Sequence, residues 1–541
     1  MSPERIRSAA VALFFILLSV IGLAAGTGYG LPCDETTEQI ILEENMLEYA
    51  LRLFGEDSAP AAWYLSRGVT PISQSIERDH GQCAYYLAAA LLPLRETRPD
   101  LAMQLWHAYT WLWFMLGVGA VYGFCREAGM SRPVSCGGML LLYLCPRFFA
   151  EGHYNNKDMV LLTLFLCVLW LGLRFLRQPG FARGALFSLA GAMAANTKVV
   201  GIFAWGLMGL CAVVLVTAGR RWNRRMALVA ASTVALFAAF YALLTPALWS
   251  DPIGYLRYLL VNAAGFTRWP GVVLFRGMRF EHAINPLPRY YLPWMMLVTL
   301  PLYVAPLAAA GQLSALHRVW RQRAAALRDP VSLGLTAASL CWFLPLLYAV
   351  IARPLVYNGW RHFYFVYAGV VVLAAQGLKA CTGFLRRHTG EYGMHRVFAA
   401  GLCLFFLWTG WDMMKNHPYQ YAYYNRLGHA GAEERMELDY WVVSTRNAML
   451  RLIDEPRDES LPLVIGARDD MSQIGLDRSH GTLPEAARSA LQAVSDPDAP
   501  YLFYNTTYAV IYGVDPPEGY HALFSLDSYG VPICTVYERD P

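Results

Sequence analysis

Apolar residues in this chain do not alternate with polar ones at a single helical or strand period. They gather in long runs along the first 414 positions and thin out after that. A bilayer core of about 30 Å needs roughly 20 apolar residues to span it as a helix. On that measure the runs predict eleven spans, at about 8–29, 101–122, 134–150, 159–176, 184–197, 199–217, 226–248, 290–311, 332–351, 361–380 and 397–414. The pair 184–197 and 199–217 reads as a short hairpin or as one long kinked helix. Arg5 and Arg7 before a run ending in Ala24-Ala25-Gly26 also fit a secretory leader, but the length of that run and the ten spans after it favour a retained first helix. Between the first two spans lies a polar segment, 30–100. Apolar residues recur at helical spacing in 36–54 and 82–94, which predicts helices lying on the membrane surface. After residue 414 the pattern is that of a small α/β unit, with a helix near 439–454 and strands near Leu461–Ile465, Tyr501–Tyr504 and Cys534–Glu538. The reading is an α-helical polytopic membrane protein of about eleven transmembrane helices (1–414), with a small external C-terminal α/β domain (415–541).

Composition agrees. Hydrophobic residues make up 56% of the chain and charged residues 16%, against roughly 25% charged in a typical soluble domain. Mean hydropathy is +0.32. So few charges cannot cover the surface of soluble domains of this total length, which excludes a cytosolic multidomain enzyme and a disordered or collagen-like chain. A net charge of +4 gives no sign of a nucleic-acid partner. The eleven cysteines are scattered and lack metal-ligand spacing, so neither a zinc site nor a disulfide scaffold is indicated. Cys33 and Cys83 share the segment 30–100, where a disulfide could form in an oxidising compartment.

Basic residues set the expected orientation. With the N-terminus in the cytoplasm, five connections share that side. They carry Arg126 and Arg132; Arg174, Arg177 and Arg183; Arg220, Arg221, Arg224 and Arg225; Arg318, Arg321, Arg323 and Arg328; and Lys379, Arg386, Arg387 and Arg396. The reverse arrangement would put all of them outside. The C-terminal unit then lies outside, as does the Asn505-Thr506-Thr507 triplet, which reads as a chance sequon.

Some charges break this bias. Lys157, Lys198, Arg353 and Arg361 fall in tight outer connections or at outer helix ends, and the loop 249–289 adds Arg257, Arg268, Arg276, Arg279 and Arg289. Snorkelling accounts for most loop arginines. It accounts less well for Lys157 and Lys198, which an anionic lipid head group would satisfy. Asp34 and Glu35 follow the first span directly, and Asp158 opens the fourth beside Lys157. Neighbours on a helix point about 100° apart and pair poorly, so Lys157 and Asp158 each need another partner. A carboxylate next to a cationic phosphate site suits sugar transfer from a phosphate-linked carrier. The carboxylate takes the acceptor's proton and the cations stabilise the departing phosphate.

At this point the residues resemble the integral-membrane glycosyltransferases of the GT-C fold, specifically the bacterial branch related to protein O-mannosyltransferases and the lipid A aminoarabinose transferase. Asp34-Glu35 is similar to the acidic motif of that family's first external loop. Pro146-Arg147-Phe148-Phe149-Ala150, followed by Tyr154-Asn155-Asn156-Lys157-Asp158, resembles its second. Ala195-Asn196-Thr197-Lys198-Val199-Val200-Gly201 resembles an outer hairpin. Asn358-Gly359-Trp360-Arg361-His362-Phe363 resembles the outer end of a late helix that contacts the lipid phosphate. Glu77-Arg78-Asp79-His80-Gly81, the run 269–277, the run 417–425 and Asp439-Tyr440-Trp441 resemble a bacterial subgroup. The likeness covers about 1–455. The large external ligand-binding module and the first-loop Lys-Pro-Pro or His-Pro-Pro motif of relatives are absent, so transfer to protein does not follow.

The resemblance implies Asp34 as general base with Glu35 in support or as the alternate, and Asp158 orienting the acceptor or the base. It implies Lys157, Lys198 and Arg361 on the carrier phosphate, with Asp79 and His80 positioning the acceptor. His153 and His362 rank below these. The expected partners are a polyprenyl-phosphate-linked sugar donor, membrane lipids, and an acceptor glycan, lipid or protein. No cofactor is expected. A divalent metal on Asp34, Glu35 and Asp158, serving a pyrophosphate-linked carrier, is the near alternative. A lipid or solute transporter and a non-catalytic scaffold are the distant ones. The expected location is the bacterial inner membrane.

Overall fold

The computed structural model describes residues 3–265, 269, 271–390, 393–457 and 462–541. Arg268, Pro270 and Leu461 lie outside them. The helices that build the body are α1 Pro3–Ala25, α2 Glu35–Phe54, α3 Pro99–Glu127, α4 Arg132–Tyr143, α5 Pro146–Tyr154, α6 Asp158–Arg177, α7 Phe181–Thr197, α8 Gly201–Ala218 and α9 Arg224–Leu244. After α10 Pro252–Ala264 and the hairpin β1 Val272–Phe275 and β2 Met278–Glu281 come α11 Tyr291–Thr299, α12 Val304–Gln322, α13 Pro330–Ala352, α14 Tyr367–His388 and α15 Met394–Lys415.

Every expected span falls on a helix, but not every one is a straight span. Among the described residues eight helices are long and apolar enough to cross a membrane, or ten if each of two bent pairs counts as one. The run expected at 134–150 breaks into α4 and α5, bent by 69°, and the run at 290–311 into α11 and α12, bent by 113°. Proline causes both breaks. A residue before proline is pushed out of the helical region: Cys145 before Pro146 and Leu300 before Pro301 are both extended. Helix α7 has 17 residues, at the short end of what a bilayer core needs.

Helices α6 and α14 form the centre of the bundle and are buried along most of their length. Helices α9 and α15 carry exposed apolar side chains such as Leu228, Val234, Leu404 and Leu407, as a lipid-facing rim requires. The contact between α12 and α14 runs backbone to backbone. A Cβ on Gly311 would lie 1.7 Å from the Leu373 carbonyl oxygen, and one on Gly377 1.9 Å from that of Leu307. Small residues permit such approach where no hydrophobic effect drives helices together. Basic connections gather at one end, where Arg132 pairs with Glu4 and Arg174 and Arg177 with Glu127.

Beyond α15 the chain forms α16 Ser444–Asp454, β3 Val464–Ala467, α17 Asp470–His480, β4 Gln492–Ala493, β5 Tyr501–Asn505, α18 Thr506–Tyr512, β6 Tyr520–Ser528 and β7 Val531–Arg539. The sheet order is β4-β3-β5-β7-β6. Strand β3 is parallel to β4 and β5; β7 is antiparallel to β5 and β6. The expected first strand thus starts later than Leu461–Ile465, and β4 and β6 were not anticipated. Asn505 of the sequon is buried. Its amide donates to the Asp439 carbonyl and its Oδ1 caps α18, so the triplet serves packing.

Candidate active site

The residues that carry the sequence reading lie at four joints, the α1–α2 connection, the α5–α6 connection, the α7–α8 turn and the turn before α14, with Asp79 and His80 in the loop between α2 and α3. Asp34 occupies the N-cap position of α2, yet its carboxylate accepts no bond from the helix amides. Its Oδ2 takes a bond from Arg361 Nη1 at 2.9 Å instead. The side chain of Arg361 is 8% exposed and that of Asp34 47%. The pair therefore presents a half-open carboxylate on a buried cation.

Asp158 opens α6 and is buried. Its Oδ1 forms an ion pair with Lys198 Nζ, its Oδ2 takes a bond of 3.4 Å from Asn155, and its backbone N–H donates to Asn155 Oδ1 at 2.9 Å. It also lies in the field of His362 and Arg361. Lys198 sits in the short turn between α7 and α8. Burial pushes its amine below the ordinary range, and the Asp158 carboxylate works against that. The adjacent residues Lys157 and Asp158 take separate partners, as side chains 100° apart must: Lys157 reaches Glu38 on α2 at 3.4 Å.

Asp34 with Arg361 and Asp158 with Lys198 thus form two ion pairs, and Asp158 lies in the field of Arg361. Glu35 points into the contact between α2 and α3, where its oxygens lie 2.9 Å from His107 Nε2 and 3.1 Å from Gln39 Nε2. His153 spans the carbonyls of Phe149 and Gly22. Asp79 accepts from Asn262 on α10 at 2.8 Å, and His80 lies 2.7 Å from Glu77. Their loop is tied to the end of α7 through Gly81 and Cys83, both of which donate to Asn196. Cys33 and Cys83 are both free thiols, directed to Asp34 and to the Met193 carbonyl respectively.

The expected metal ligands Asp34, Glu35 and Asp158 do not converge. Each is matched by a cationic or histidine side chain of the protein. The group of acids and histidine whose donor atoms fall within 4.8 Å of one another, among the described residues, is Glu77, Asp79 and His80.

A second set of polar residues lies near these ion pairs. Arg147 and Glu151 on α5 are both buried. Glu151 Oε1 accepts from the hydroxyls of Tyr364 and Tyr440 at 2.7 and 2.9 Å, and Oε2 from Asn155 at 2.8 Å. Arg147 faces the Tyr424 ring at 5.1 Å and donates to the Tyr423 carbonyl. Glu437, from the region after α15, accepts the Gly359 N–H at 2.9 Å. Burial pushes its carboxyl up to about 7. Sequence reasoning gave none of these a role. The signal for Arg147 and Glu151 was charge inside or beside an expected span; Glu437 had no such signal.

No family model and no curated protein matches the chain. Among solved structures, the chain is similar to the arabinofuranosyltransferase AftD from Mycobacteria, at 12% identity and a TM-score of 0.39, over 98% of this chain and 40% of that one. It is similar to ArnT from Cupriavidus metallidurans bound to undecaprenyl phosphate, at 14% identity and a TM-score of 0.46, over 98% of each chain. It is likewise similar to the apo state of that ArnT, at 14% identity and a TM-score of 0.47 over the same share of both chains.

Proposed function

We propose that this protein transfers a sugar from a polyprenyl-phosphate-linked donor to an acceptor at the outer face of a bacterial inner membrane. The observation that carries the reading is the half-exposed Asp34 carboxylate held 2.9 Å from the buried Arg361, whose field also reaches the Asp158–Lys198 pair.

The chemistry follows from what each group does with charge. The donor is a phosphodiester carrying one negative charge. When it enters, its phosphate competes for Arg361 and Lys198, and Asp34 is released from its ion pair. The freed carboxylate accepts the proton of an acceptor hydroxyl or amine. The bond from the sugar's anomeric carbon to the acceptor forms as the bond to the phosphate oxygen breaks. The electron pair leaves on the phosphate, where the buried Arg361 and the partly buried Lys198 stabilise it better than water would. Asp158 keeps Lys198 in place from a buried position. The bundle supports a lipid-linked donor because the site lies at helix ends, where a prenyl tail can stay in the bilayer.

The test is transfer assayed with the full chain in nanodiscs. Asp34→Asn keeps the shape and removes the base, so turnover should fall by about 100-fold or more, the usual range for a lost general base, with expression and carrier binding kept. Full turnover in Asp34→Asn removes Asp34 as base. Movement of carrier or solute across vesicles without covalent transfer would favour the transporter reading instead.

A further inference from the structure

The segment 436–443 follows the last span by some twenty residues, and it touches both halves of the site. On the Asp34 side, the Cys33 N–H donates to the Trp441 carbonyl at 2.9 Å. The Cys33 carbonyl accepts from Arg478 on α17, and the Gly28 carbonyl from Asn447 on α16 at 3.0 Å. Gly30 lies so close that a Cβ there would sit 2.3 Å from the Val443 carbonyl oxygen. On the Arg361 side, Glu437 holds the Gly359 N–H, and the Trp441 ring lies under the guanidinium, 4.4 Å from its central carbon. Between the two, Tyr440 shares Glu151 with Tyr364.

The segment is itself held rigidly. The Asp439 carboxylate accepts the N–H groups of Val443 and Ser444 at 3.0 and 3.1 Å and the Ser444 hydroxyl. Asn505, Thr507 and Tyr508 bind its backbone from α18 and the residue before it. Val442 has φ +51°, a left-handed conformation that a β-branched residue adopts only at a cost. Such strain persists where the surroundings over-determine the backbone, and it clusters at functional sites.

We propose that 436–443 is a strap that belongs to the active site, and that Glu437 and Trp441 are positioning residues setting the distance between Asp34 and Arg361. The strap makes the region after α15 a working part of the site rather than an appended module. It also gives the Asp439-Tyr440-Trp441 run a purpose: Asp439 locks the strap, Tyr440 anchors it to α5, and Trp441 carries the contact to the cation. The proposal takes the reaction from the sugar-transfer reading, but the coupling it asserts is independent of which sugar moves.

The experiment uses the full chain in nanodiscs, with undecaprenyl phosphate as the phosphate-bearing probe and hydrogen exchange as a second readout. Glu437→Ala and Trp441→Ala should each raise amide exchange in both 28–36 and 355–362 and weaken probe binding at least fivefold. Glu437→Gln keeps an acceptor oxygen for Gly359 and should restore both. Unchanged exchange in either segment, or no restoration by glutamine, overturns the strap. Should an alanine variant fail to assemble, Glu437→Asp, shorter by one methylene, is compared with Glu437→Gln by the same readouts. If the unaltered chain does not bind the probe, the carrier reading fails, while the exchange data still decide the strap.

Discussion

Asp34 and Glu35 are adjacent in sequence and share a charge, and the fold gives them different lives. One keeps half its side chain in the open against Arg361; the other is sealed on His107. A carboxylate can accept a proton from a substrate only where the substrate can reach it, and burial separates the two. Glu437 shows burial acting the other way. Its ordinary value is 4.5, and burial raises it to about 7. A folded state that raises the pKa of an acid is most favoured while that acid is protonated. The stability it contributes is therefore complete below about pH 4.5 and is lost as pH rises through 7, by roughly 3 kcal/mol at one unit of pKa per 1.4 kcal/mol. Glu437→Gln removes this titration. The variant should unfold at a higher temperature than the parent above pH 7, with the difference closing by pH 5. Thermal unfolding across that range checks it, and a difference independent of pH would mean that Glu437 does not titrate there.

Single helices were readable because a span is a local composition. The two breaks were less readable, because apolar residues stand on both sides of Pro146-Arg147 and of Pro301. Proline marks a boundary but does not give the angle, which packing decides. The backbone contact of α12 on α14 has the same character: Gly311 and Gly377 stand among many glycines, and only the backbone approach distinguishes them. Gly311→Leu should lower the unfolding temperature markedly, since overpacking costs about 1–3 kcal/mol and here the obstacle is backbone. Gly209→Leu on α8, with nothing within 4 Å of its Cβ position, is the matched control and should leave stability nearly unchanged. Equal effects at both positions would show that the α12–α14 approach is looser than described.

At the scale of the whole molecule, charge sorts the two ends of the bundle. Arg132, Arg174 and Arg177 meet Glu4 and Glu127 at one end, while Asp34, Asp158, Lys198 and Arg361 meet one another at their own joints. If the basic end faces the cytoplasm, as the excess of arginine there argues, then Ser489 and Trp222 lie on opposite sides. Both are exposed. With a membrane-impermeant thiol reagent on intact cells, Ser489→Cys should be labelled and Trp222→Cys only after permeabilisation. The opposite pattern would reverse the orientation and move the proposed site to the cytoplasmic face.

By itself the sequence determined the helical, membrane-spanning character of the chain, the change of pattern after residue 414, and the need of Lys157 and Asp158 for separate partners. These follow from local quantities: the length of an apolar run, the density of charge, and the angle between neighbouring side chains. The tertiary structure alone decided that Asp158 meets Lys198, that Arg361 meets Asp34 across more than three hundred residues, and that Glu437 and Trp441 reach back to hold both. Such contacts depend on which helix ends the packing brings together. No periodicity along the chain encodes that, because the partners stand tens to hundreds of residues apart and a local pattern reports only on neighbours.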